Sequence, residues 1–311
     1  MQGAVRNVIL FGAGASYGSG AVFPSKPPLG NRLFAEMAAR GGMAAQIYGI
    51  PQLRERFDRN FEEGMESLYA FQENIVRALH REIASLLINY MPSRTNLYVK
   101  LLKQIRPDET IISSLNYDML IEVSAELARR MIGYGLSQSA DVIRFLKLHG
   151  SINWVLDPSK VALVDCHIYA GVNIDHEVID LDRSALETFL ATETTLMPAM
   201  ALYKEGKTTP IGRSHIQRQQ SMWRYAVTHA EKILVVGVNI NALDNHIWGA
   251  LGRTDAQVIY YAATDRDVVQ FNDWIATFES GERALLDRRI TLERADFATA
   301  MPSILRHLKT L

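Results

Sequence analysis

Apolar residues in this chain form short runs that alternate with segments of helical spacing. The short runs are rich in β-branched residues, and uninterrupted apolar runs of this length are typical of strands buried on both faces of a parallel sheet. In most of the segments that follow, the spacing of apolar residues predicts an amphipathic helix. The six predicted strands are Asn7–Phe11, Thr110–Ser113, Ile143–Leu148, Ile233–Val238, Val258–Ala262 and Ile290–Leu292.

Alternation of strands and helices predicts the fold class. Asp118, Asp244 and Asp265 each open a helical segment that follows a strand, and we expect each carboxylate to cap backbone amides at the helix start. Alternation of this kind is typical of an α/β protein. We therefore predict a doubly wound, Rossmann-like parallel sheet of about six strands.

Two segments interrupt the alternation. Residues 51–104 place apolar side chains at helical spacing and predict an inserted helical subdomain. Residues 151–197 form a second, smaller insertion within a Rossmann-like domain that comprises residues 1–50 and 105–311. Both insertions leave from strand ends, where ligands bind in folds of this class.

The smaller insertion is predicted to hold a short strand pair, Val161–Cys166 and Val172–Val178, followed by a helix, Arg183–Ala191. Cys166 is the one cysteine of the chain. A single thiol excludes an internal disulfide framework and a four-cysteine zinc module, and it fits a reducing compartment.

A glycine-rich turn, FGAGASYGSG, follows the first predicted strand. Gly12 and Gly14 have no Cβ, so the backbone amides can approach a phosphate, and the next helix adds its positive end. The match to a dinucleotide fingerprint is loose because the third glycine, Gly18, falls one position late. A simple tight turn is the alternative. No acidic residue ends a second strand about 20 residues further on, which disfavours an NAD-dependent dehydrogenase.

Polar residues also follow the second and third strands. Asn116 and Asp118 lie just past the second strand, and His149 with Gly150 lies just past the third. Because carboxyl ends of parallel strands meet at one edge, we expect these side chains to face one crevice. Histidine can exchange a proton near neutral pH. The alternatives are a turn asparagine, a capping aspartate and a structural histidine.

The fourth and fifth strands end in further candidate ligand-binding turns. Gly237, at the end of the fourth strand, and Asn239 and Asp244, just past it, bracket a turn where backbone amides can reach a phosphate or a ribose. Thr264 or Asp265, after the fifth strand, can contact an adenosine, although capping alone also explains Asp265. Six other histidines are expected on the solvated surface: His80, His167, His176, His215, His229 and His307.

Charge and hydropathy narrow the classes of partner. Lysine and arginine number 33 and acidic residues 34, so the net charge indicates neither nucleic-acid nor membrane binding. No apolar run approaches the ~20 residues that a membrane helix requires, and the first residues do not follow the pattern of a secretion signal. We expect a cytoplasmic protein.

An ordered set of motifs resembles the sirtuin superfamily. The set comprises GAGAS, a proline-rich loop with PPLG, LNYD, LHGSINW and GVNINALD, and it extends over nearly the whole chain. It most resembles the bacterial sirtuin-like NAD hydrolases of antiphage defence. The resemblance implies a six-stranded parallel NAD-binding sheet with a smaller helical module.

The resemblance also implies roles for individual residues. The turn that holds the NAD phosphates matches Gly12, Ala13, Gly14, Ala15 and Ser16. Asn116 matches the asparagine beside the nicotinamide ribose, Asp118 the aspartate that contacts the nicotinamide amide, and His149 the catalytic histidine. Gly237 and Asn239 occupy the place of the sirtuin GTS turn, from which this sequence departs after the glycine. Thr264 remains the candidate contact to adenosine.

One departure from the sirtuins decides the expected reaction. Protein-deacylating sirtuins carry two cysteine pairs on a zinc ribbon after the HG motif, but residues 151–197 hold only Cys166. A structural zinc needs about four ligands, so we expect neither zinc nor another bound metal. Loss of the ribbon removes a wall of the peptide groove, and water becomes the expected acceptor. The expected activity is therefore hydrolysis of NAD to nicotinamide and ADP-ribose, with NAD as substrate.

Two other readings stay open at this stage. One is a sirtuin-like protein deacylase or ADP-ribosyltransferase, and the other is a sensor that binds NAD or ADP-ribose without turnover. Because an unregulated NAD hydrolase is toxic, the resemblance implies control by assembly or by a partner. We expect a homo-oligomer, with a companion defence protein such as a DNA-translocating ATPase or an Argonaute-like protein as its trigger, and no direct binding to nucleic acid or membrane.

Overall fold

The computed structural model describes residues 5–69, 73–136, 139–157, 177–192, 196–201, 211–241, 244–279, 286 and 289–309. Its central sheet contains seven strands: β1 (Asn7–Phe11), β4 (Thr110–Ser114), β5 (Met131–Tyr134), β6 (Val142–Lys147), β9 (Lys232–Val236), β10 (Gln257–Ala262) and β11 (Ile290–Arg294). Two small antiparallel sheets pair β2 (Val22–Phe23) with β3 (Met91–Pro92), and β7 (Trp154–Leu156) with β8 (Val178–Asp180).

All neighbours in the central sheet are parallel, in the order β11, β10, β9, β1, β4, β6, β5. Asn7 of β1 aligns with Thr110 of β4 on one side and with Lys232 of β9 on the other. The chain builds the β4 side of the sheet first and then crosses to the β9 side. Strand order therefore reverses around β1, and ligands of doubly wound folds bind at the carboxyl ends of strands at such a point.

Helices cover both faces of the sheet. They are α1 (Ala13–Tyr17), α2 (Gly30–Ala38), α3 (Gly42–Tyr48), α4 (Pro51–Arg59), α5 (Phe61–Tyr69), α6 (Glu73–Leu87), α7 (Leu97–Leu102), α8 (Leu120–Ala128), α9 (Arg183–Ala191), α10 (Arg213–His229), α11 (Asn245–Arg253), α12 (Asp265–Ala276) and α13 (Phe297–Lys309). Within the described residues, no helix has the length and apolar character needed to cross a membrane.

Side chains of β1 alternate between two apolar cores. Ile9 and Phe11 belong to the core formed with α2 to α8 and α13, whereas Val8 and Leu10 belong to the core formed with α10, α11 and α12. All four side chains are fully buried. An apolar strand buried on both faces requires helices on both sides, which explains the doubly wound architecture. The predicted α/β class with a Rossmann-like parallel sheet is thus confirmed.

The six predicted strands are all present, but the sheet has seven rather than about six. The sequence pattern missed strand β5. The segment DMLIEVSAELARRM, from Asp118 to Met131, predicted a helix that includes the first residue of β5, whereas α8 ends at Ala128. Arg129 adopts a left-handed φ of 57° and ends α8, so β5 begins two residues later. β5 is a short edge strand that is partly exposed and contains Gly133, so it lacks the apolar signature of a buried strand.

The predicted helical insertion packs on the core that also contains α2 and α3. The ring of Phe57 in α4 stacks on the ring of Phe34 in α2 with 3.4 Å between centroids. Glu82 of α6 accepts hydrogen bonds from the amides of Met43 and Ala44 at the start of α3, at 2.6 and 2.9 Å. The helices of the insertion therefore contact α2 and α3, which follow the glycine-rich turn and β2 in the chain.

The smaller insertion contains the predicted helix, α9, with the bounds expected from its sequence. Asp182 caps it by accepting a hydrogen bond from the Ala185 amide at 2.8 Å. Most of the predicted strand pair, including Cys166 and His176, lies outside the described residues, as does His167 between the two predicted strands. The antiparallel pair that the structure does describe is formed by β7 and β8.

His80 lies in α6 and is fully buried, so its predicted surface position is wrong. Its Nδ1 lies 3.1 Å from the carbonyl oxygen of Pro198. Burial lowers the pKa of His80 to about 4. The neighbouring Arg81 donates to the carbonyls of Leu190 at 2.9 Å and Thr192 at 2.8 Å. Helical periodicity correctly placed His80 on a helix. It could not predict the contact with Pro198, which is 118 residues away in the chain. His229, by contrast, is exposed as predicted.

Candidate active site

Turns after β1 and β9 touch each other at the point where strand order reverses. The amide of Gly12 donates to the carbonyl of Val236 at 3.1 Å, and the amide of Gly14 donates to the carbonyl of Gly237 at 2.9 Å. A Cβ on Gly12 would lie 2.5 Å from that Gly237 oxygen and 2.7 Å from the Cα of Val238. Both distances are below normal contact, so a side chain at Gly12 would force the two turns apart.

Backbone bonds within the protein use three amides of the glycine-rich turn. Besides Gly12 and Gly14, the amide of Ala15 donates to the carbonyl of Gly12 at 2.9 Å. In this arrangement the three N–H groups are not directed at a ligand. The glycines are explained by contact between two turns, and phosphate binding at Gly12 to Ser16 stays a prediction. Ala13, at the tip of the turn, is exposed.

Asn116 connects the end of β4 to the glycine-rich turn. Its side chain is buried, and its Nδ2 donates to the carbonyl of Gly12 at 3.0 Å and to Ser16 Oγ at 2.8 Å. Its own amide donates to Ser114 Oγ at 3.0 Å. Hydrogen bonds therefore hold both the side chain and the backbone amide of Asn116 in place. Asn116 thus contacts the glycine-rich turn, although the two are about 100 residues apart in the chain.

Asp118 closes the same network on its other side. Ser16 Oγ donates to Asp118 Oδ2 at 3.0 Å, and Asp118 Oδ1 accepts a hydrogen bond from the Leu120 amide at 3.0 Å. Asp118 thus accepts a free backbone amide at the start of α8 as predicted, although the N-cap position itself is occupied by Met119, which makes no side-chain cap hydrogen bond. Burial raises the pKa of the Asp118 carboxyl, although Lys147 and the Leu120 amide favour its charged form.

Lys147, which sequence reasoning missed, lies directly beneath these loops. Its side chain is 1% exposed, and its Nζ donates to Glu122 Oε1 at 2.9 Å, to Ser151 Oγ at 2.8 Å and to the main-chain carbonyl of Asp118. One buried cation therefore joins the loop after β4 to the loop after β6. The sequence signal was the lysine inside the apolar run IRFLKL, because a lysine in a doubly buried strand needs a partner.

His149 lies at the carboxyl end of β6, beside β4. Leu148 donates its amide to the Ser114 carbonyl at 3.0 Å, which continues the parallel pairing up to the site. The His149 side chain is buried, and its Nε2 lies 3.5 Å from Asp244 Oδ1. The two atoms belong to turns on opposite sides of β1. His149 therefore lies beside the segment that joins β9 to α11.

Asp244 occupies the N-cap position of α11 but makes no side-chain cap hydrogen bond there. The predicted cap is thus wrong in its side-chain contact. The Asp244 main-chain carbonyl accepts the amides of Ile247 and Trp248, at 2.8 and 3.0 Å, as helix geometry requires. Its carboxylate instead lies beside His149. An aspartate before a helix can either cap the helix or contribute to a site, and the sequence alone does not distinguish the two roles for Asp244. The tertiary structure shows its carboxylate beside His149.

His246, in the first turn of α11, is the second residue that sequence reasoning missed. Its ring centroid lies 5.4 Å from that of His149. Ligand atoms of His149, Asp244 and His246 all lie within 4.8 Å of one another. The signal was the DNH sequence at a strand-to-helix turn, with histidine two residues after aspartate.

A short segment, residues 196–201, runs against the loop that carries His149. The amide of Ala201 donates to the His149 carbonyl at 2.8 Å, and the amide of Ser151 donates to the Ala199 carbonyl at 3.1 Å. Tyr117 donates its hydroxyl to the Ala201 carbonyl at 2.7 Å. Gly150, with a left-handed φ of 86°, makes this close approach possible.

The other predicted ligand contacts, Asn239 and Thr264, lie in the turns after β9 and β10. Asn239 is exposed in the turn after β9. Thr264 lies at the end of β10, two strands from β1, and lines an open cleft with Asp265 and Arg294. Thr264, not Asp265, is the N-cap of α12, because its Oγ1 accepts the Asp267 amide at 3.2 Å. The predicted cap by Asp265 is therefore wrong.

Comparison with known proteins adds no family to this description. No model of a protein family matches the chain, and no curated protein matches it significantly. The sirtuin-like assignment therefore rests on the ordered motifs and stays a prediction. The geometry must be interpreted from the residues themselves.

Proposed function

We propose that this protein hydrolyses NAD at the bond between nicotinamide and ribose. The observation that carries the proposal is the convergence of His149 with Asp244, and of Asn116 with the glycine-rich turn, at the point where strand order reverses. Doubly wound folds bind nucleotides at that point. A proton acceptor and a fixed carboxamide at adjacent strand ends suit cleavage of a glycosidic bond.

The reaction transfers ribose from nicotinamide to water. Nicotinamide is cationic in NAD, and it leaves as a neutral ring when the electrons of the N-glycosidic bond move onto its nitrogen. Positive charge then develops on the ribose as an oxocarbenium-like centre, and the oxygen of water attacks its anomeric carbon. Water gives up one proton in this step. The products are nicotinamide and ADP-ribose.

His149 is the proposed acceptor of that proton. Histidine exchanges protons near neutral pH, and positioned general bases accelerate such steps by about 10²–10⁴-fold. The carboxylate of Asp244, 3.5 Å from Nε2, would stabilise the imidazolium that forms. Burial of both groups strengthens this interaction because little water screens it.

Asn116 is the proposed residue that orients the ribose. Gly12 and Ser16 fix its Nδ2 group, which leaves the carboxamide oxygen to accept a ribose hydroxyl. Orientation of reacting groups contributes to rate because it removes freedom before the chemical step. In the proposal Ser16, Asp118 and Gly237 support this geometry, and Thr264 lies where an adenosine contact is expected.

The wider biological role is part of the same proposal and rests on the resemblance alone. We place the protein in the cytoplasm, as a homo-oligomeric effector that depletes NAD during antiphage defence and is triggered by a companion protein. The buried state of His149 and Asn116 supports a requirement for activation.

The test is product analysis on the purified protein. Incubation with NAD, followed by chromatography, should give equal amounts of nicotinamide and ADP-ribose, with a specific rate that rises with protein concentration if assembly activates it. Acceleration by an acetylated peptide would instead indicate a deacylase. Tight NAD binding by calorimetry, with no product after long incubation, would indicate the sensor.

A further inference from the structure

Three side chains from two separate turns form a compact set of nitrogen and oxygen donors. His149 comes from the end of β6, while Asp244 and His246 come from the start of α11. One ligand atom from each lies within 4.8 Å of the other two. His149 and Asp244 are 3% and 4% exposed, and His246 is partly buried. We name these three residues the His–Asp–His cluster.

The spacing of the His–Asp–His cluster fits coordination of one small cation. Zinc lies ~2.0–2.1 Å from imidazole nitrogen and carboxylate oxygen, so a tetrahedral site separates its ligand atoms by roughly 3.4 Å. The His149 Nε2 to Asp244 Oδ1 distance is 3.5 Å. The ligand atom of the third member, His246, lies within 4.8 Å of the other two and reaches the same tetrahedral edge after an inward shift of about 1.5 Å or less. Rotation of a partly buried ring can supply that movement.

Asp244 provides an independent observation. An aspartate at an N-cap position ordinarily accepts an amide of the first helical turn, which contributes about 1 kcal/mol. Asp244 occupies that position without this bond and instead holds its carboxylate beside His149. The structure thus omits a local stabilising contact in favour of placing a buried carboxylate next to two imidazoles. A bound cation would complete that arrangement.

Ligand chemistry selects the class of cation. Two imidazoles with one carboxylate suit zinc and neighbouring transition metals, whereas magnesium and calcium prefer sets made of oxygen atoms. Three protein ligands also leave a fourth coordination position open. Cys166 lies outside the described residues and is not part of the proposed ligand set.

We propose that His149, Asp244 and His246 bind one divalent transition-metal ion of the zinc type. If the proposed function holds, the bound ion blocks NAD cleavage, because a neutral imidazole that binds a metal through one nitrogen carries its hydrogen on the other and has no nitrogen left to accept a proton. The His–Asp–His cluster would then be a site of metal inhibition. The binding itself does not depend on any activity of the protein.

Binding is tested on the full chain, freed of metal with a chelator and titrated with ZnCl₂ by calorimetry. Cys166→Ser is the background, so that the lone thiol contributes nothing. We expect one ion per chain, with affinity lowered at least ~10-fold by His246→Ala or Asp244→Asn and unchanged by His229→Ala, which alters an exposed histidine on α10. Absence of stoichiometric binding, or equal affinity in His246→Ala, would overturn the proposal.

Two further measurements separate folding and function from metal binding. Zinc should raise the melting temperature of the background protein but not that of His246→Ala, because a ligand stabilises only the fold that binds it. Nicotinamide release should fall when zinc is added at one equivalent, and His246→Ala should keep its own metal-free rate. Binding without any NAD cleavage would reject the proposed function alone, and cleavage without binding would reject the metal site alone.

Discussion

The carboxylate of Asp244 lies 3.5 Å from Nε2 of His149, although Asp244 stands at the N-cap position of α11. The pair joins the turn after β9 to the loop after β6, across the ends of the two strands between them. Both side chains are buried. The carboxylate of Asp244 therefore interacts with His149 and does not cap α11.

Asp244→Asn should affect activity far more than stability. Because the carboxylate does not cap α11, the free energy of unfolding should change by less than about 1 kcal/mol. Nicotinamide release should fall by about 10-fold or more, since the imidazolium of His149 loses its counter-charge. Urea denaturation and a NAD turnover assay check the two parts. A stability loss with full activity per folded molecule would show that Asp244 is structural.

Gly12→Ala should destabilise the protein because its Cβ would meet the Gly237 carbonyl at 2.5 Å. Overpacking of this kind costs about 1–3 kcal/mol. Gly30→Ala is the matched control, since a Cβ at Gly30 meets nothing within 4 Å and Gly30 begins α2. It should be neutral or slightly stabilising. Equal unfolding midpoints for the two variants would contradict the tight contact between the turns.

Lys147→Met should be strongly destabilising because it leaves Glu122 buried without its cation. Removal of one partner of a buried ion pair costs about 3–5 kcal/mol. The double variant Lys147→Met with Glu122→Gln should recover a large part of that loss, because Glu122 is then no longer a buried charge without its partner. Chemical denaturation of the four proteins in the cycle measures the coupling. Additive losses would mean that the pair does not act as a unit.

Acidification should destabilise the fold through His80. In the unfolded chain His80 binds a proton at about pH 6.5, whereas in the folded protein burial lowers its pKa to about 4. The unfolded state therefore binds more protons between these two values, and the free energy of unfolding falls as the pH falls. From pH 6.5 to 5 the loss is about 2 kcal/mol. His80→Asn should remove that part of the pH profile, and His229→Asn should keep it. An unchanged profile in His80→Asn would contradict the lowered pKa.

Much of the fold could be predicted because β1, β4, β9 and β10 are apolar runs buried on both faces, a pattern with few alternatives. β5 was not predicted because a short, partly exposed edge strand with a glycine does not show this apolar pattern. The smaller insertion was predictable only in its helix.

The candidate site could be predicted in part, for a physical reason. Asn116 and His149 follow strands, and parallel strands bring such residues to one edge whatever their separation in sequence. Lys147 and His246 were missed because their partners come from distant segments. Capping preferences also explained Asp118 correctly and Asp244 incorrectly, since the same local sequence permits either arrangement.

The central claim is tested most directly by nicotinamide release from NAD, measured by chromatography on wild type and on His149→Ala, Asn116→Ala and His229→Ala after circular dichroism has shown that each is folded. The account predicts release by wild type and by His229→Ala, and a loss on the order of 10²-fold or more in the other two. Undiminished release by His149→Ala, or no release from NAD by wild type under any assembly condition, would contradict it.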